Sequence, residues 1–331
     1  MTRRRPSLRD YLITVAVSAA NAPPQTFFYG GQAVIEGVLM RGPHHYAVAA
    51  RAPSGQIIIR RERLTSRVYT SKFWRLPFLR GVAGLVEMIH LGMRAIQWSA
   101  NIQLGEEIEL TPRAMRITIG VSVVFSLLLF IGGPALIGQL IHHDQSIWSG
   151  SHAALSVRTI VIEGVARAAI ILGYLAIIGR IPSIKRLFAY HGAEHKAINC
   201  LEAGGPVEVA SVRTASRLHP RCGTGFLVVV ALVSVLVFVP LAVFPLLVRV
   251  VLQILLVPVV AGIAYEGIRG LARIRHTTVG RVLLWPVLAT QLLSTREPDD
   301  AQIEVSITAL EAARALDGDA IGEGHDTAVI P

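Results

Sequence analysis

Long apolar runs alternate along this chain with polar, patterned segments, and the two kinds predict different surroundings. Arg116–Ile141 is nearly free of charge and exceeds the roughly 20 helical residues that cross a bilayer. Val157–Ile178 is a second such run and carries Glu163 and Arg167. Residues 226–248, interrupted by Pro240 and Pro245, and residues 250–268, containing Pro258 and Glu266, complete four expected spans. A fifth run, 282–293, is too short to cross and is expected at the interface. The polar segments read differently. Ala33-Val34-Ile35 and Val38-Leu39-Met40 flank Glu36-Gly37, and residues 46–50 pair with 56–59 through Pro53-Ser54-Gly55, which predicts a small β element. Apolar spacing predicts an amphipathic helix over 81–103, on the membrane or against the bundle, and an acidic one over 303–316. Pro182 and Gly204-Gly205-Pro206 bound a further helix over 182–201, and residues 317–331 read as disordered.

The expected fold class is therefore mainly α: a polytopic membrane protein with about four transmembrane helices and a small β element near the N-terminus. Residues 1–28 form an extension, 29–115 the β element and amphipathic helix, 116–293 the bundle with a motif loop at 180–224, and 294–331 a C-terminal helix and tail. Composition agrees, with 52% hydrophobic and only 16% charged residues, where soluble domains carry about a quarter charged.

The net charge of +10 is distributed by topology. Sixteen Lys and Arg precede or begin the first span, seven lie between Arg180 and Arg221, and six follow from Arg269, whereas 142–156 has none. The positive-inside rule then places both termini, the β element and the motif loop in the cytosol, in a multi-pass protein of the cytoplasmic membrane. The basic residues meet anionic lipid headgroups, so membrane lipids are the expected partners. No basic module interleaved with aromatics points to nucleic acid. Arg3-Arg4-Arg5, the apolar run 11–20 and Ala20-Asn21-Ala22 imitate a signal peptide, but cleavage would export the basic segment, so an uncleaved extension is expected. Cys200 and Cys222, the two cysteines, both fall on the cytosolic side, where a structural disulfide is not expected.

The chemistry concentrates in His191-Gly192-Ala193-Glu194-His195. On a helix, residues four apart share a face, so both imidazoles can reach one ion while Glu194 flanks it. This H-x-x-E-H spacing is that of one class of zinc peptidases. Zinc, or another divalent transition metal, is the expected cofactor, with Glu194 as general base on a metal-bound water. Catalytic zinc usually takes three protein ligands. Glu266, far downstream at the end of the fourth span, is the preferred third, followed by His219 and then Cys222. Glu202 comes last, because the helical rise carries it about 10 Å beyond His195. Lys196, Arg217 and Arg221 are candidates to hold an anionic substrate or an oxyanion, and equally to touch lipid headgroups. Glu163 and Arg167, four apart inside the second span, are expected to neutralise each other or to support the site. Gly192 inside a helix costs about 1 kcal/mol against alanine, which suggests that another backbone passes close by.

A second constellation runs from Gly30 to His45, where four glycines in all and Pro43 surround Glu36 and Arg41. It lacks the G-K-[ST] of a phosphate loop and reads as a shaped turn. Gly30-Gly31-Gln32-Ala33-Val34-Ile35-Glu36-Gly37-Val38, Tyr190-His191-Gly192-Ala193-Glu194-His195-Lys196 with Ile198-Asn199-Cys200, and His219-Pro220-Arg221-Cys222-Gly223-Thr224 together resemble the YqhQ-like family of bacterial membrane proteins. Leu292-Leu293-Ser294-Thr295-Arg296-Glu297-Pro298 with Glu304-Val305 looks like the family's C-terminal signature, so the resemblance runs from about Tyr29 to Leu316. It implies at most a metal-dependent enzyme, at the same residues that spacing selects. Zinc peptidases with the inverted motif are soluble proteins of another architecture, so that likeness would be convergent.

The leading functional expectation is a metal-dependent hydrolase whose cytosol-facing site is covered by the β element. A membrane scaffold or assembly factor, with the same polar cluster as a structural metal site or ion-pair network, is the alternative. A transporter is a weaker reading, because the spans are few and their charges lie towards one face. No pattern specifies a substrate or protein partner: lipid, peptide and headgroup-linked metabolite all fit.

Overall fold

A computed structural model describes residues 29–64, 71–105, 112–141, 157–274, 277–318 and 326–330. The signal-like segment lies outside them. Four strands, β1 (Gly30–Val34), β2 (Gly37–Arg41), β3 (His45–Arg51) and β4 (Ile57–Arg63), form an antiparallel meander. Its register follows the expected pairing, with Ala49 opposite Ile59 and Ala50 opposite Ile58. The first hairpin turns on Ile35-Glu36, and Glu36 sits in the left-handed region at φ 53°. A fifth strand, β5 (Asp326–Ile330), pairs with the outer edge of β4. Residues 326–330 thus depart from the disorder expected over 317–331, most of which lies outside the described residues. The edge of β4 offers unpaired backbone groups, and a short extended segment satisfies them.

Both faces of the meander are buried, because its strands carry apolar residues on both sides of the pleat. Val34, Leu39, Tyr46 and Val48 pack with Leu91 and Ala95 of α1 (Leu79–Leu104), the amphipathic helix expected over 81–103. Val38, Met40, Ala47, Ala49 and Ile59 pack with Tyr190, Ala193, Ala197 and Ile198 of α5 (Pro182–Glu202). Ile303, Val305 and Leu310 of α11 (Asp300–Gly318) close the same cluster. The motif helix α5 is thus pinned to the β element by its apolar face.

Among the described residues, three helical stretches are long and apolar enough to cross a membrane: Arg116–Ile141, Thr159–Ile178 and Gly223–Val243. The first joins α2 (Pro112–Leu127) to α3 (Gly133–Ile141) through a π-helical turn, Leu128–Gly132. The second is α4 (Val157–Ile178), and the third is α7 (Gly223–Phe238) with a 3₁₀ turn at Val239–Val243. A fourth candidate is a pair, α8 (Leu246–Leu255) and α9 (Val257–Arg273), bent by 51° at Leu256. Four spans are reached only if that pair is one span. The expected third run stops at Phe244-Pro245 because proline lacks an amide donor and crowds the preceding turn. Val121, Val165, Leu232 and Leu236 are exposed on these helices, the apolar exterior that suits a lipid solvent. The short run 282–293 belongs to α10 (Thr278–Ser294), which buries Leu284, Val287 and Leu288.

α6 (Val209–Thr214) and the segment 215–222 return the chain from α5 to the start of α7. Residues 294–298 cross α5 between α10 and α11. Gly192 is explained there: a Cβ at this position would lie 2.1 Å from the Arg296 carbonyl oxygen. Gly192→Ala should therefore destabilise the protein by about 1–3 kcal/mol despite the gain in helix propensity. Gly84 of α1 has open space around it, so Gly84→Ala should be neutral or slightly stabilising. Thermal unfolding of both variants in detergent checks the contrast.

Candidate metal centre

Three elements end at, or cross, the middle of α5, and each supplies part of one polar cluster. α5 is set by its junction with α4, where Pro182 is the first helical residue after Ile181. His191 and His195 then lie one turn apart with their ring centroids separated by 4.4 Å. His191 Nδ1 lies 2.8 Å from the Ser294 carbonyl at the end of α10. His195 Nδ1 lies 2.6 Å from the Arg217 carbonyl. A carbonyl can only accept, so both rings carry the proton on Nδ1, and Nε2 is left as the ligating atom when the ring is neutral. Such fixing of the tautomer by an outer carbonyl is usual around metal-binding imidazoles.

Both Nε2 atoms face Cys222, the residue before α7. Cys222 Sγ lies 3.2 Å from His191 Nε2 and 3.1 Å from Thr224 Oγ1, and Thr224 Oγ1 lies 2.9 Å from Ser294 Oγ. The ligand atoms of His191, His195 and Cys222 all lie within 4.8 Å of one another. Zinc bonds of about 2.0–2.3 Å at tetrahedral angles separate neighbouring ligands by about 3.3–3.6 Å. Two imidazole nitrogens and a thiolate therefore fit a borderline-soft divalent ion such as zinc. Glu194 is buried beside them, with Oε2 3.9 Å from His191 Nε2 and 4.0 Å from His195 Nε2. Its carboxylate accepts from the Gly31 backbone of β1. A Cβ on Gly31 would meet the Leu39 carbonyl at 2.4 Å and Glu194 Cγ at 3.0 Å, so only glycine lets the strand lie on this carboxylate.

Electrostatics bind the pair further. Burial opposes charge on His191, yet the neighbouring Cys222 thiolate outweighs it and lifts the imidazole to about 9. Burial likewise opposes the thiolate, but His191 and His195 pull the Cys222 thiol well below its ordinary value. Burial raises the Glu194 carboxyl, against the pull of His195 and His191.

The other expected site residues are placed differently. Glu266, the preferred third ligand, is held by Arg80 of α1 at 2.7 Å and by the Phe78 amide, outside the cluster. The residue that the structure brings to the two histidines is Cys222 instead. His219 packs its ring 5.6 Å from that of His195, but its Nε2 points to Glu202 at 3.8 Å. Burial depresses this imidazole to about 4, with Glu202 opposing. Arg221 pairs with Glu202. Lys196 is buried, donating to the Arg213 and Ala215 carbonyls and pairing with Glu297 at 2.7 Å. Arg217 donates to the Thr295 carbonyl at 2.8 Å. These three cations thus serve the scaffold. Glu36 clamps Arg186 and Tyr190 of α5, and Arg41 lies 3.9 Å from Glu87 of α1. Asn199 was not expected to contribute. It donates to the Ser216 and Leu218 carbonyls, and its place one turn after His195 was the available signal. Cys200 and Cys222 are both free and buried.

Comparison with known proteins gives the chain a family. Residues 76–316 match the family described as protein of unknown function DUF1385. The chain belongs to this family. It is also 34% identical over 306 residues to the "uncharacterized protein YqhQ" of Bacillus subtilis (strain 168), covering 88% of this chain and 92% of that relative. No solved structure matches it. The family match spans α5, the Cys222 segment and residues 294–298, so all three parts of the cluster lie inside it.

In metal-free protein carrying Cys200→Ser, the ultraviolet absorbance of the Cys222 thiolate should persist well below the ordinary thiol range near about 8.5. His191→Ala removes the main opposing charge, so the transition should move upward. A pH titration of the absorbance reads both.

Proposed function

We infer that this protein is a metal-dependent hydrolase of the cytoplasmic membrane, with His191, His195 and Cys222 holding zinc or a similar divalent ion. The observation that carries this reading is the convergence of two Nδ1-anchored imidazoles and a thiol beside the Glu194 carboxylate. Three protein ligands leave a position for water, as in catalytic rather than structural zinc sites. The ion would supply a water of lowered pKa. Glu194, about 4 Å from both Nε2 atoms, would take the proton of that water and return it to a leaving group. The Gly31 amide holds the carboxylate in that position, and β1 shields the site from bulk water. The basic segments around α5 favour a cytosolic orientation. Cys222 adjoins the start of a membrane-spanning helix, so substrates carried at the membrane surface suit the site best.

Burial favours a second reading. His195 is 1% and Glu194 4% exposed, which also suits a structural ion that staples α5, α7 and the end of α10 together in a membrane scaffold. Metal analysis of the purified protein separates these readings from each other and from no metal at all. About one transition metal per chain is expected, lost in His191→Ala, His195→Ala and Cys222→Ala. Glu194→Gln should keep the metal and abolish the protein's ability to complement a deletion strain. Loss of metal in Glu194→Gln would make the carboxylate a ligand of a closed site and sink the hydrolase. Metal absent from the wild type would sink both.

A further inference from the structure

A second buried polar cluster lies among the apolar helices, and none of the chemistry above uses it. Glu163 and Arg167 on α4, Ser234 on α7, and Arg249 and Gln253 on α8 are each at most 5% exposed. Glu163 and Arg167 do not simply neutralise each other. Arg249 Nη2 lies 2.9 Å from Glu163 Oε1, and Gln253 Nε2 donates to Glu163 Oε2 at 3.2 Å. Arg167 places its donors on neutral acceptors: the Phe130 carbonyl at 2.9 Å, Ser234 Oγ at 2.5 Å and Gln253 Oε1 at 3.4 Å. Its guanidinium also sits 5.1 Å from the centre of the Phe238 ring.

The cluster therefore holds two guanidiniums and one carboxylate, leaving an excess positive charge within the spans. Arg249 shows the imbalance most clearly. It is wholly buried, yet its Nε and Nη1 have no hydrogen-bond partner among the described residues. A buried charge with incomplete pairing is costly, and ionisable groups in a bilayer mark ligand or ion sites. The backbone is irregular at the same place. Phe130 belongs to the π-helical turn, and Arg249 and Gln253 belong to the half-helix that precedes the 51° break. Membrane proteins use π turns and broken helices at functional sites.

The geometry points to an anion-binding site inside the bundle, separate from the His191–His195–Cys222 cluster, where Arg249 and Arg167 hold a singly charged oxyanion such as a lipid phosphodiester. One negative charge balances the cluster, and guanidinium N–H donors make charge-assisted hydrogen bonds to the oxygens of such a group. The free donors of Arg249 supply the contacts. Because Arg249 is closed off from solvent, entry requires movement of α8, a ten-residue helix set between Phe244-Pro245 and the break at Leu256. The same oxyanion chemistry could come from a phospholipid or from a free anion.

The test uses the full chain purified from membranes in phosphate-free detergent. Native mass spectrometry with lipid extraction should find one anionic phospholipid retained per chain. If the source is a free anion instead, inorganic phosphate should raise the unfolding midpoint of protein in phosphatidylcholine nanodiscs, whereas phosphatidylglycerol discs should give no such gain. Arg249→Gln should lower retention of either ligand by about tenfold or more, with metal content unchanged. Arg249→Lys should retain part of it. Glu163→Gln adds to the excess positive charge and should tighten retention, a change opposite to the loss expected if Glu163 and Arg249 form only a structural ion pair. If neither lipid nor phosphate associates with the wild type or with Glu163→Gln, and the latter is merely less stable, the anion site is overturned.

Discussion

The arrangement depends on backbone carbonyls at helix ends and just beyond them, which have no helical donor. The end of α6 with residues 215–218 and the end of α10 with residues 295–296 pass beside α5, and side chains of α5 satisfy much of their demand. Lys196 takes the carbonyls of Arg213 and Ala215, Asn199 those of Ser216 and Leu218, and His195 that of Arg217. His191 takes that of Ser294. A buried carbonyl without a donor costs as much as a lost hydrogen bond, so the helix and the segments position one another. Orientation of the two ligating nitrogens follows from this pairing. The same bonds that hold the scaffold together aim the imidazoles at Cys222.

The cluster also sits where three construction rules meet. Cys222 adjoins a membrane-spanning helix, Ser294 ends α10, and Gly31 belongs to a strand buried on both faces. Glycine appears where backbones come too close for a side chain, at Gly31 against Glu194 and at Gly192 against Arg296. The outcome is a polar site with little solvent, where the Cys222 thiolate and the His191 imidazole perturb each other strongly because screening is weak. A second polar cluster, around Arg249, lies along the spans and shares no residue with the first. The two can be altered separately.

Much of this was legible along the chain. The long apolar runs predicted the spans, alternation predicted the meander, and H-x-x-E-H predicted two histidines on one helical face. Gly192 predicted a nearby backbone. The partner of the two histidines was not legible. Glu266 sits far downstream at the end of an expected span, yet Arg80, 186 positions earlier, takes its carboxylate. Cys222 lies in a short motif before a span, a place that spacing alone could not rank above His219. Lys196 and Arg221 read as cations available to a substrate, but carbonyls and the carboxylates of Glu297 and Glu202 hold them inside the fold.

What the sequence determined by itself was local or solvent-driven. The helical period sets which residues share a face, and apolar length sets what can cross a bilayer. Those constraints act within a few residues or along one segment. The tertiary structure decided which distant groups complete the pairs: Cys222 beside His191, Arg80 on Glu266, Arg249 on Glu163, and β5 on β4. Such partners follow from how the chain closes on itself. A buried charge or carbonyl accepts any donor of suitable chemistry, and only packing settles which one arrives.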